Sequence, residues 1–358
     1  MKRVLYVTNL PAPYKIDYFE CMSRSLELTV IYERKLASNR DQKWKNDVER
    51  SFSEIYLDGF ELGNESSLSV GVLNYLNKKY DLIILNGYSS PTMIIAIEFM
   101  RIRGIKFVIS CDGMLPAHES RLKYYYKKHL IQSAAYYLSS GDITSRCLVD
   151  YGVNVEHIFR YPFSSVKNNE VLNTNVNKEE YKKKLGFLSE KIILFVGQFI
   201  HRKGIDLLMQ AYDNIRNQCD TSIELVLIGG EAEQVNSQIH EGITIIPFKT
   251  KKELNDYYLA ADVFVLPTRE DIWGLVVNEA FAFGLPVVTS DHCGAGTEMI
   301  KQGINGFIFQ SEDVQELEIA LKKALALKCF DQSIQTAKNY TIERMAERTI
   351  DMIRAILS

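Results

Sequence analysis

The chain has 358 residues, which is long enough for two domains that each bury a hydrophobic core. Its composition, 46% hydrophobic and 24% charged with a formal net charge of −3, is that of a soluble globular protein and does not favour nucleic acid as a partner. The six scattered cysteines include no C-x-x-C pair, so they indicate neither a zinc site nor a disulfide framework, and we expect a reducing, cytoplasmic environment.

The apolar runs of the chain are short. None approaches the ~18 consecutive apolar residues of a transmembrane helix, and Pro11 and Pro13 interrupt the first one, so no signal peptide is expected. The runs alternate with longer amphipathic segments, and this alternation predicts the α/β class, with parallel sheets covered by helices on both faces. The runs span residues 3–8, 26–32, 81–86, 106–110, 135–140, 191–197, 224–229, 243–248, 263–267 and 286–290.

A polar segment separates two series of predicted strands. Residues 166–190 are rich in Asn and Lys and lack the pattern of a buried strand, and a new apolar run begins at Lys191. We therefore predict two Rossmann-like domains, 1–165 and 166–340, with 166–190 as a linker. The last segment, 341–358, has the pattern of an amphipathic helix.

Three loops of the first domain follow predicted strands and carry candidate site residues. Because ligands of open α/β sheets bind beyond the carboxyl ends of the strands, we expect Pro13, Asn86 and Asp112 to line the binding site. Asp112 is the candidate carboxylate beside the reacting group, and a turn or helix-capping aspartate is an equal alternative. His118, further along the third loop, is a candidate for proton transfer, with an ordinary surface histidine as the alternative.

Residues 121–137 combine basic and aromatic side chains on one predicted helix. Such a helix can lie on an anionic membrane surface. It can equally be the solvated face of a helix that packs on a core, so both interpretations stay open.

The first loop of the second domain places cations before a helix. Gly197 ends the predicted strand and Gln198 follows it, whereas Arg202 and Lys203 stand directly before the helix. Cations at this place can neutralise a diphosphate as it leaves, and stabilising the charge that develops in a transition state is usually the largest catalytic term. Solvated surface cations are the alternative.

A second loop of the same kind follows the run at 263–267. The start of the next helix has unpaired N–H groups and partial positive charge, which suit an anion such as a diphosphate. Glu279, about one turn inside this helix, accepts hydrogen bonds only and suits a ribose hydroxyl. Asp271, or its neighbour Glu270, lies on the loop where the hydroxyls of a sugar can reach it. The donor-binding candidates at the helix start are Gly274, Leu275 and Val276.

The segment from Asp271 to Ile308 resembles the family 4 retaining glycosyltransferases. It has two acidic residues separated by seven others, then a helix, a Gly-x-Pro-Val strand and a second glycine-rich turn. In this chain these parts are Asp271, Glu279, Gly284-Leu285-Pro286-Val287, Gly294-Ala295-Gly296 and Asn305-Gly306. Gly197 and Lys203-Gly204 also fit the family pattern. The family usually has Glu where Asp271 stands and Arg where Gln198 stands.

The resemblance implies the GT-B architecture, in which two Rossmann-like domains with parallel sheets face each other across a cleft and the final helix crosses back to the first domain. It implies that Lys203 acts on the donor phosphates, with Arg202 as the substitute for the missing Arg. It also implies that Phe248 and Lys249 hold the base of the nucleotide. Lys203 and the helix dipole take the place of a divalent metal, so neither a metal nor another cofactor is expected.

The implied activity is transfer of a hexose, with retention of configuration, from a UDP- or GDP-sugar to a hydroxyl of a glycan or lipid-linked acceptor in cell-surface polysaccharide biosynthesis. The lipid-linked acceptors of many family members slightly favour a peripheral contact of 121–137 with the inner face of the cell membrane. A non-catalytic nucleotide-sugar-binding protein and a sugar-nucleotide epimerase stay open as alternatives. An NAD-linked dehydrogenase is a third, although no G-x-G-x-x-G follows the first strand.

Overall fold

The computed structural model describes residues 1–34, 50–62, 66–77, 79–116, 119–218, 222–235 and 241–358. These residues fold into two compact units. We call Met1–Ser165 together with Thr341–Ser358 the N-terminal unit, and Val166–Tyr340 the C-terminal unit.

Strands and helices alternate in both units. Up to residue 165 the elements are β1 (Lys2–Thr8), α1 (Pro13–Ser23), β2 (Leu26–Tyr32), β3 (Ser53–Tyr56), β4 (Phe60–Leu62), β5 (Ser66–Leu68), β6 (Leu82–Asn86), α2 (Pro91–Arg103), β7 (Val108–Cys111), α3 (Arg121–Ile131), β8 (Tyr136–Ser139), α4 (Asp142–Asp150) and β9 (Ile158–Arg160). From residue 166 onward they are α5 (Lys178–Leu185), β10 (Lys191–Val196), α6 (Ile205–Asn217), β11 (Ile223–Ile228), β12 (Ile243–Ile246), α7 (Lys251–Ala260), β13 (Val263–Leu266), α8 (Leu275–Ala282), β14 (Val287–Ser290), α9 (Gly294–Met299), β15 (Gly306–Phe309), α10 (Val314–Leu325), α11 (Phe330–Asn339) and α12 (Ile342–Leu357).

The N-terminal unit is built on a parallel sheet, in which seven strands of the described residues have the order β3-β2-β1-β6-β7-β8-β9. Since β1 pairs with β2 on one side and β6 on the other, the strand order reverses at β1. The last helix, α12, packs on α1 of the same unit, where the hydroxyl of Tyr18 donates to Thr349 Oγ1 at 2.8 Å. Ligand-binding loops of such a sheet follow the strands that flank the reversal.

The C-terminal unit repeats this plan with a parallel sheet of six described strands in the order β12-β11-β10-β13-β14-β15. Its strand order reverses at β10, between β11 and β13. β13 and β14 are buried along their whole length, as strands covered by helices on both faces must be. The predicted α/β class with two parallel-sheet domains is confirmed, and the loops after β10 and β13 occupy the binding position.

The segment 166–190, predicted to be a linker, contains the helix α5. Asn177 caps its start by accepting a hydrogen bond from the main-chain N–H of Glu179 at 3.3 Å. Lys182 is buried and pairs with Asp262 at 3.1 Å. An ion pair attaches this helix to the rest of the unit, so its sequence lacks the apolar stripe by which an amphipathic helix is predicted.

Candidate functional site

The loop after β10 turns sharply before α6. Residues His201–Lys203 form a single 3-10 turn, and Gly204 follows with a φ of 69° at the N-cap of α6. A Cβ at Gly204 would overlap the carbonyl oxygen of Pro267, so only glycine lets this loop approach the end of β13 so closely. The approach brings the loops after β10 and β13 together.

Lys203 and Asp271 form an ion pair where these two loops meet. Each side chain is only 12% exposed, so solvent screens their attraction less than it screens a surface pair. The main-chain N–H of Trp273 donates to the second oxygen of Asp271 at 3.4 Å. The structure therefore joins two of the predicted catalytic residues, and a ligand that enters here meets a cation and a carboxylate side by side.

Arg202 and Glu270 flank this pair with exposed side chains. The carbonyl oxygen of Arg202 accepts hydrogen bonds from Thr268 Oγ1 and from the main-chain N–H of Arg269, both at 2.8 Å. Its guanidinium donates to the carbonyl oxygen of Glu270 at 3.1 Å. The buried carboxylate beside Lys203 is thus that of Asp271, while the Glu270 side chain lies in solvent.

The start of α8 adjoins the Lys203–Asp271 pair. Gly274 has a φ of 93°, and a Cβ there would lie 2.9 Å from the sulfur of Cys293 and 3.6 Å from a carboxylate oxygen of Asp271. Leu275 and Val276 are the first residues of the helix, and both are half-buried. Because first-turn N–H groups lack partners within their own helix, this helix start can bind an anion next to Lys203.

Glu279 lies one turn further along α8 and is half-buried. It accepts a hydrogen bond from the hydroxyl of Tyr258 at 3.1 Å. Burial raises the pKa of Tyr258, and the charge of Glu279 raises it further, so this hydroxyl stays a neutral donor. The Tyr258 ring stacks on Phe283 with its centroid 5.1 Å away. Glu279 is therefore an acceptor held in a fixed orientation.

Residues 292–294 fix the loop that carries Asp271 through main-chain hydrogen bonds. The main-chain N–H of Asp271 donates to the carbonyl of His292, and that of Gly294 donates to the carbonyl of Asp271, both at 3.0 Å. The thiol of Cys293 donates to the carbonyl of Trp273 at 3.2 Å, and burial raises its pKa to about 12. A protonated, buried thiol is a structural donor and not a nucleophile.

The remaining donor-side candidates lie at the same edge of the sheet. Gly197 directly follows β10 and is half-buried, and Gln198 beside it is exposed. Phe248 and Lys249 follow the edge strand β12, where the Phe248 ring is 50% exposed and Lys249 Nζ lies 3.9 Å from Glu253. An exposed aromatic ring at the end of a strand is available to a planar ligand group.

The N-terminal unit contains a buried polar cluster that includes two predicted residues, Asn86 and Asp112. Its centre is the ammonium group of Lys15, a residue that is only 6% exposed. We call it the Lys15 cluster, and its members are Thr8, Asn9, Lys15, Asn86, Asp112 and Tyr161.

Contacts in the Lys15 cluster converge on Asp112. Lys15 Nζ lies 2.9 Å from Thr8 Oγ1 and 3.5 Å from Asp112 Oδ2, and it also donates to Asn86 Oδ1. The other oxygen of Asp112 accepts hydrogen bonds from Asn86 Nδ2 and the Tyr161 hydroxyl, both at 2.9 Å. Asp112 is thus an oriented carboxylate at the carboxyl edge of the sheet, with about a fifth of its side chain exposed.

Lys15 was not predicted from the sequence, although a signal for it exists. Phe19 and Met22, four and seven positions later on α1, are fully buried, so helical spacing puts Lys15 on the buried face. Pro13 is exposed at the first turn of α1 and there starts the helix. His118 lies outside the described residues.

The described residues contain neither a cluster suited to a metal ion nor a helix suited to cross a membrane. No group of three or more His, Cys, Asp or Glu side chains among them is arranged to hold a metal ion. None of their helices combines the length and the hydropathy needed to cross a membrane.

Comparison with known sequences gives matches to about half of the chain. Residues 177–343 match the profile of a family described as Glycosyl transferases group 1. An uncharacterized glycosyltransferase of Haemophilus influenzae is 29% identical over 192 residues, which cover 50% of this chain and 54% of that protein. An uncharacterized 41.2 kDa protein in the cps region of Klebsiella pneumoniae is 31% identical over 178 residues, which cover 48% and 47%. The chain spans about half the length of the curated relatives it matches.

Comparison with solved structures covers the whole chain. The Anabaena protein Alr3699/HepE, solved in complex with UDP and in complex with UDP-glucose, superimposes with TM-scores of 0.77 and 0.74. In both cases the identity is 15%, over 99% of this chain and 100% of that chain. Identity this low establishes the fold alone, and the predicted GT-B architecture of two parallel-sheet domains is confirmed.

Proposed function

We propose that this chain is a retaining glycosyltransferase of family 4 that moves a hexose from a nucleoside-diphosphate donor to a hydroxyl group of an acceptor. The observation that carries the proposal is the shielded pair of Lys203 and Asp271 beside the strand-order reversal, within the residues that match Glycosyl transferases group 1. A cation at this place suits a departing diphosphate, and the neighbouring carboxylate suits the hydroxyls of the donor sugar.

The proposed donor site uses the residues around the start of α8. Lys203 and the first-turn N–H groups of Leu275 and Val276 bind the diphosphate. Glu279 accepts hydrogen bonds from the ribose hydroxyls, and Asp271 accepts them from the sugar. Phe248 and Lys249 contact the base. Arg202 supplies a second cation near the phosphates and so substitutes for the arginine that the resembling family usually has where Gln198 stands.

In the proposed reaction, one bond of the anomeric carbon breaks and another forms. The bond from this carbon to the β-phosphate oxygen breaks, and the acceptor oxygen bonds to the same face. The acceptor proton passes to the departing phosphate oxygen, so no covalent intermediate forms on the protein. Because Lys203 and the helix start meet the charge on the leaving group, the proposed reaction needs neither a divalent metal nor a cofactor.

In the N-terminal unit, we assign Asp112 to the reacting sugar and Asn86, Pro13 and His118 to the acceptor side. The Lys15 cluster supports the first assignment, because it holds Asp112 oriented and partly exposed at the carboxyl edge of the sheet. The UDP and UDP-glucose complexes of the similar Anabaena structure support a UDP-sugar as the first donor to test, with a GDP-sugar second. The relative from a cps region supports a cell-surface glycan or its lipid-linked precursor as the acceptor.

A protein that binds a nucleotide-sugar without turnover is the second candidate. The observation that favours it is the exposed, uncharged Gln198, which stands where the resembling family usually has a cation. An epimerase would instead convert one sugar nucleotide into another without releasing the nucleotide.

The test is an incubation with UDP-glucose, UDP-galactose, UDP-N-acetylglucosamine and GDP-mannose, in which nucleotides and sugars are separated by chromatography. We expect slow release of nucleoside diphosphate from one of these donors by water, and faster release when a glycan or polyprenyl-linked acceptor is added. Isomerised donor without release would establish an epimerase. Binding without turnover, across a library of such acceptors, would establish the non-catalytic alternative.

One prediction concerns the stability of the Lys15 cluster. Replacing Lys15 with methionine should lower the free energy of unfolding by about 2–3 kcal/mol, because it leaves the Asp112 carboxylate without its cation. The further change Asp112→Asn should restore about 1 kcal/mol or more, measured by urea unfolding of both single variants and the double variant. Additive losses in the double variant would show that the two groups do not interact.

A second prediction concerns membranes. We propose a cytoplasmic protein that contacts the inner face of the membrane through α3, where Leu122 and Tyr125 are exposed beside exposed Arg121 and Lys123. Changing both cations to glutamate should weaken binding to phosphatidylserine vesicles by roughly 2 kcal/mol, about thirtyfold, in a sedimentation assay at low salt.

The matched control for the vesicle experiment changes Lys322 and Lys323 of α10, which are also exposed, to glutamate. It alters the net charge equally and should leave vesicle binding unchanged. Equal loss in both pairs of variants, or no vesicle binding by the unaltered protein, would establish the solvated-face interpretation of 121–137.

A further inference from the structure

Arg269, two residues before Asp271, was not singled out from the sequence. Its guanidinium donates to both oxygens of Asp206 at 2.7 Å, and to the two oxygens of Glu312 at 2.5 and 3.2 Å. It also donates to the carbonyl oxygen of His201 at 2.8 Å. These contacts use all five N–H groups of the side chain. The hydrogen bonds to Asp206 and Glu312 raise the pKa of Arg269, and the hydrogen bond from Arg269 lowers the pKa of Asp206. Arg269 is therefore engaged within the protein and is not a cation for a ligand.

The partners of Arg269 surround the turn that carries Lys203. His201 is in that turn, and Asp206 is in the first turn of α6 directly after it. The main-chain N–H of Arg269 donates to the carbonyl of Arg202 in the same turn at 2.8 Å. Arg269 thus connects the Lys203 turn to the loop that carries Asp271, through its side chain and its main chain.

Glu312 provides the third anchor from an unusual backbone conformation. With a φ of 70°, it is the one residue other than glycine, among those the structure describes, that has a positive φ. This region is unfavourable for a residue with a Cβ, and glycine would adopt it freely. Strain of this kind persists where the surroundings impose it, often at functional sites. Here the strained residue is the one whose carboxylate reaches Arg269.

We propose that Arg269, anchored by Glu312, is a positioning residue that holds Lys203 in the geometry needed to meet the departing diphosphate. The proposal rests on the glycosyl transfer proposed above. A small displacement of a catalytic group costs much of its contribution to the transition state, and less of its contribution to ground-state binding. Loss of the Glu312 anchor should therefore lower kcat and leave donor affinity nearly unchanged.

The variant Glu312→Gly separates this role from a role in stability. Glycine relieves the backbone strain and removes the carboxylate, which is 59% exposed and so contributes little to folding. We expect the melting temperature to stay equal or rise, while kcat for release of nucleoside diphosphate falls by about tenfold or more. KM for the sugar nucleotide should stay within about twofold. Asp331→Asn, an exposed carboxylate on the first turn of α11, is the matched control and should keep the unaltered kcat.

A second arm asks whether the effect passes through Lys203. In a Lys203→Ala background, followed under single-turnover conditions with protein in excess, Glu312→Gly should lower the rate no further. An equal loss in both backgrounds would overturn the positioning role, as would a kcat for Glu312→Gly that equals the unaltered one. Absence of turnover by the unaltered protein with all four sugar nucleotides would defeat the proposed function instead, so the two failures are distinguishable.

Discussion

Replacing Lys203 with alanine is expected to lower kcat by about 10²–10³-fold while the donor dissociation constant changes by less than about tenfold. The reason is that, in the proposed reaction, the shielded ammonium beside Asp271 meets charge that develops fully only as the diphosphate departs. Release of nucleoside diphosphate at saturating donor gives kcat, and calorimetric titration with the same donor gives the dissociation constant.

Arg202→Ala is the matched control for this variant, because Arg202 lies in the same turn with an exposed side chain. Solvent screens an exposed cation, so this change should lower kcat by less than about tenfold. A Lys203→Ala variant in which only donor affinity falls would show that Lys203 binds substrate and transition state equally. Equal losses in the two variants would show a diffuse effect of positive charge.

The variant Glu279→Gln is expected to weaken UDP binding by about 2 kcal/mol, roughly thirtyfold, because a neutral amide replaces the carboxylate proposed to accept hydrogen bonds from the ribose hydroxyls. The structure makes this carboxylate an oriented acceptor through the hydrogen bond from Tyr258. Comparing the affinities for UDP and 2′-deoxy-UDP measures the contribution of the ribose 2′-hydroxyl. The unaltered protein should prefer UDP, and the preference should largely disappear in the variant.

Tyr258→Phe is the control for indirect effects on Glu279. It removes the hydroxyl that orients Glu279 but keeps the carboxylate, so the preference for UDP over 2′-deoxy-UDP should persist. If Glu279→Gln keeps the full preference, the ribose role of Glu279 is wrong. If Tyr258→Phe loses it as completely, ribose recognition depends on the hydroxyl of Tyr258 as much as on the carboxylate of Glu279.

The fold was largely predictable because its main signal is local. Apolar runs such as 191–197 and 263–267 became strands of parallel sheets, since a strand covered on both faces must be apolar along its length. Residue spacing also located the turn that carries Lys203 and the loop that carries Asp271. Their ion pair was not predicted, because it depends on how closely Gly204 lets the two loops approach.

The features that were missed are charged groups whose partners are distant in the sequence. Lys182 and Lys15 lie on the buried faces of their helices, although a hydrophobic pattern predicts that lysines face solvent. Each is paired with an aspartate from a distant part of the sequence, Asp262 or Asp112, and no local spacing connects them. Arg269 and Glu312 likewise meet only after folding. A charged side chain is rarely buried without a partner of opposite charge. Buried lysines of this kind therefore become predictable only when the partner that the fold brings to them is known.

The proposed donor site is best tested by a calorimetric and thermal-shift titration of the unaltered protein with UDP, GDP and ADP, each with and without EDTA. A ligand that binds only the folded state stabilises it by about 2.7 kcal/mol at a hundred times its dissociation constant, which a melting curve readily resolves. We expect one of these nucleotides to bind, UDP first among them, and to bind equally well in EDTA. Absence of binding by all three nucleotides would contradict the donor site built around Lys203, Asp271 and Glu279, and binding that EDTA abolishes would contradict its independence of metal.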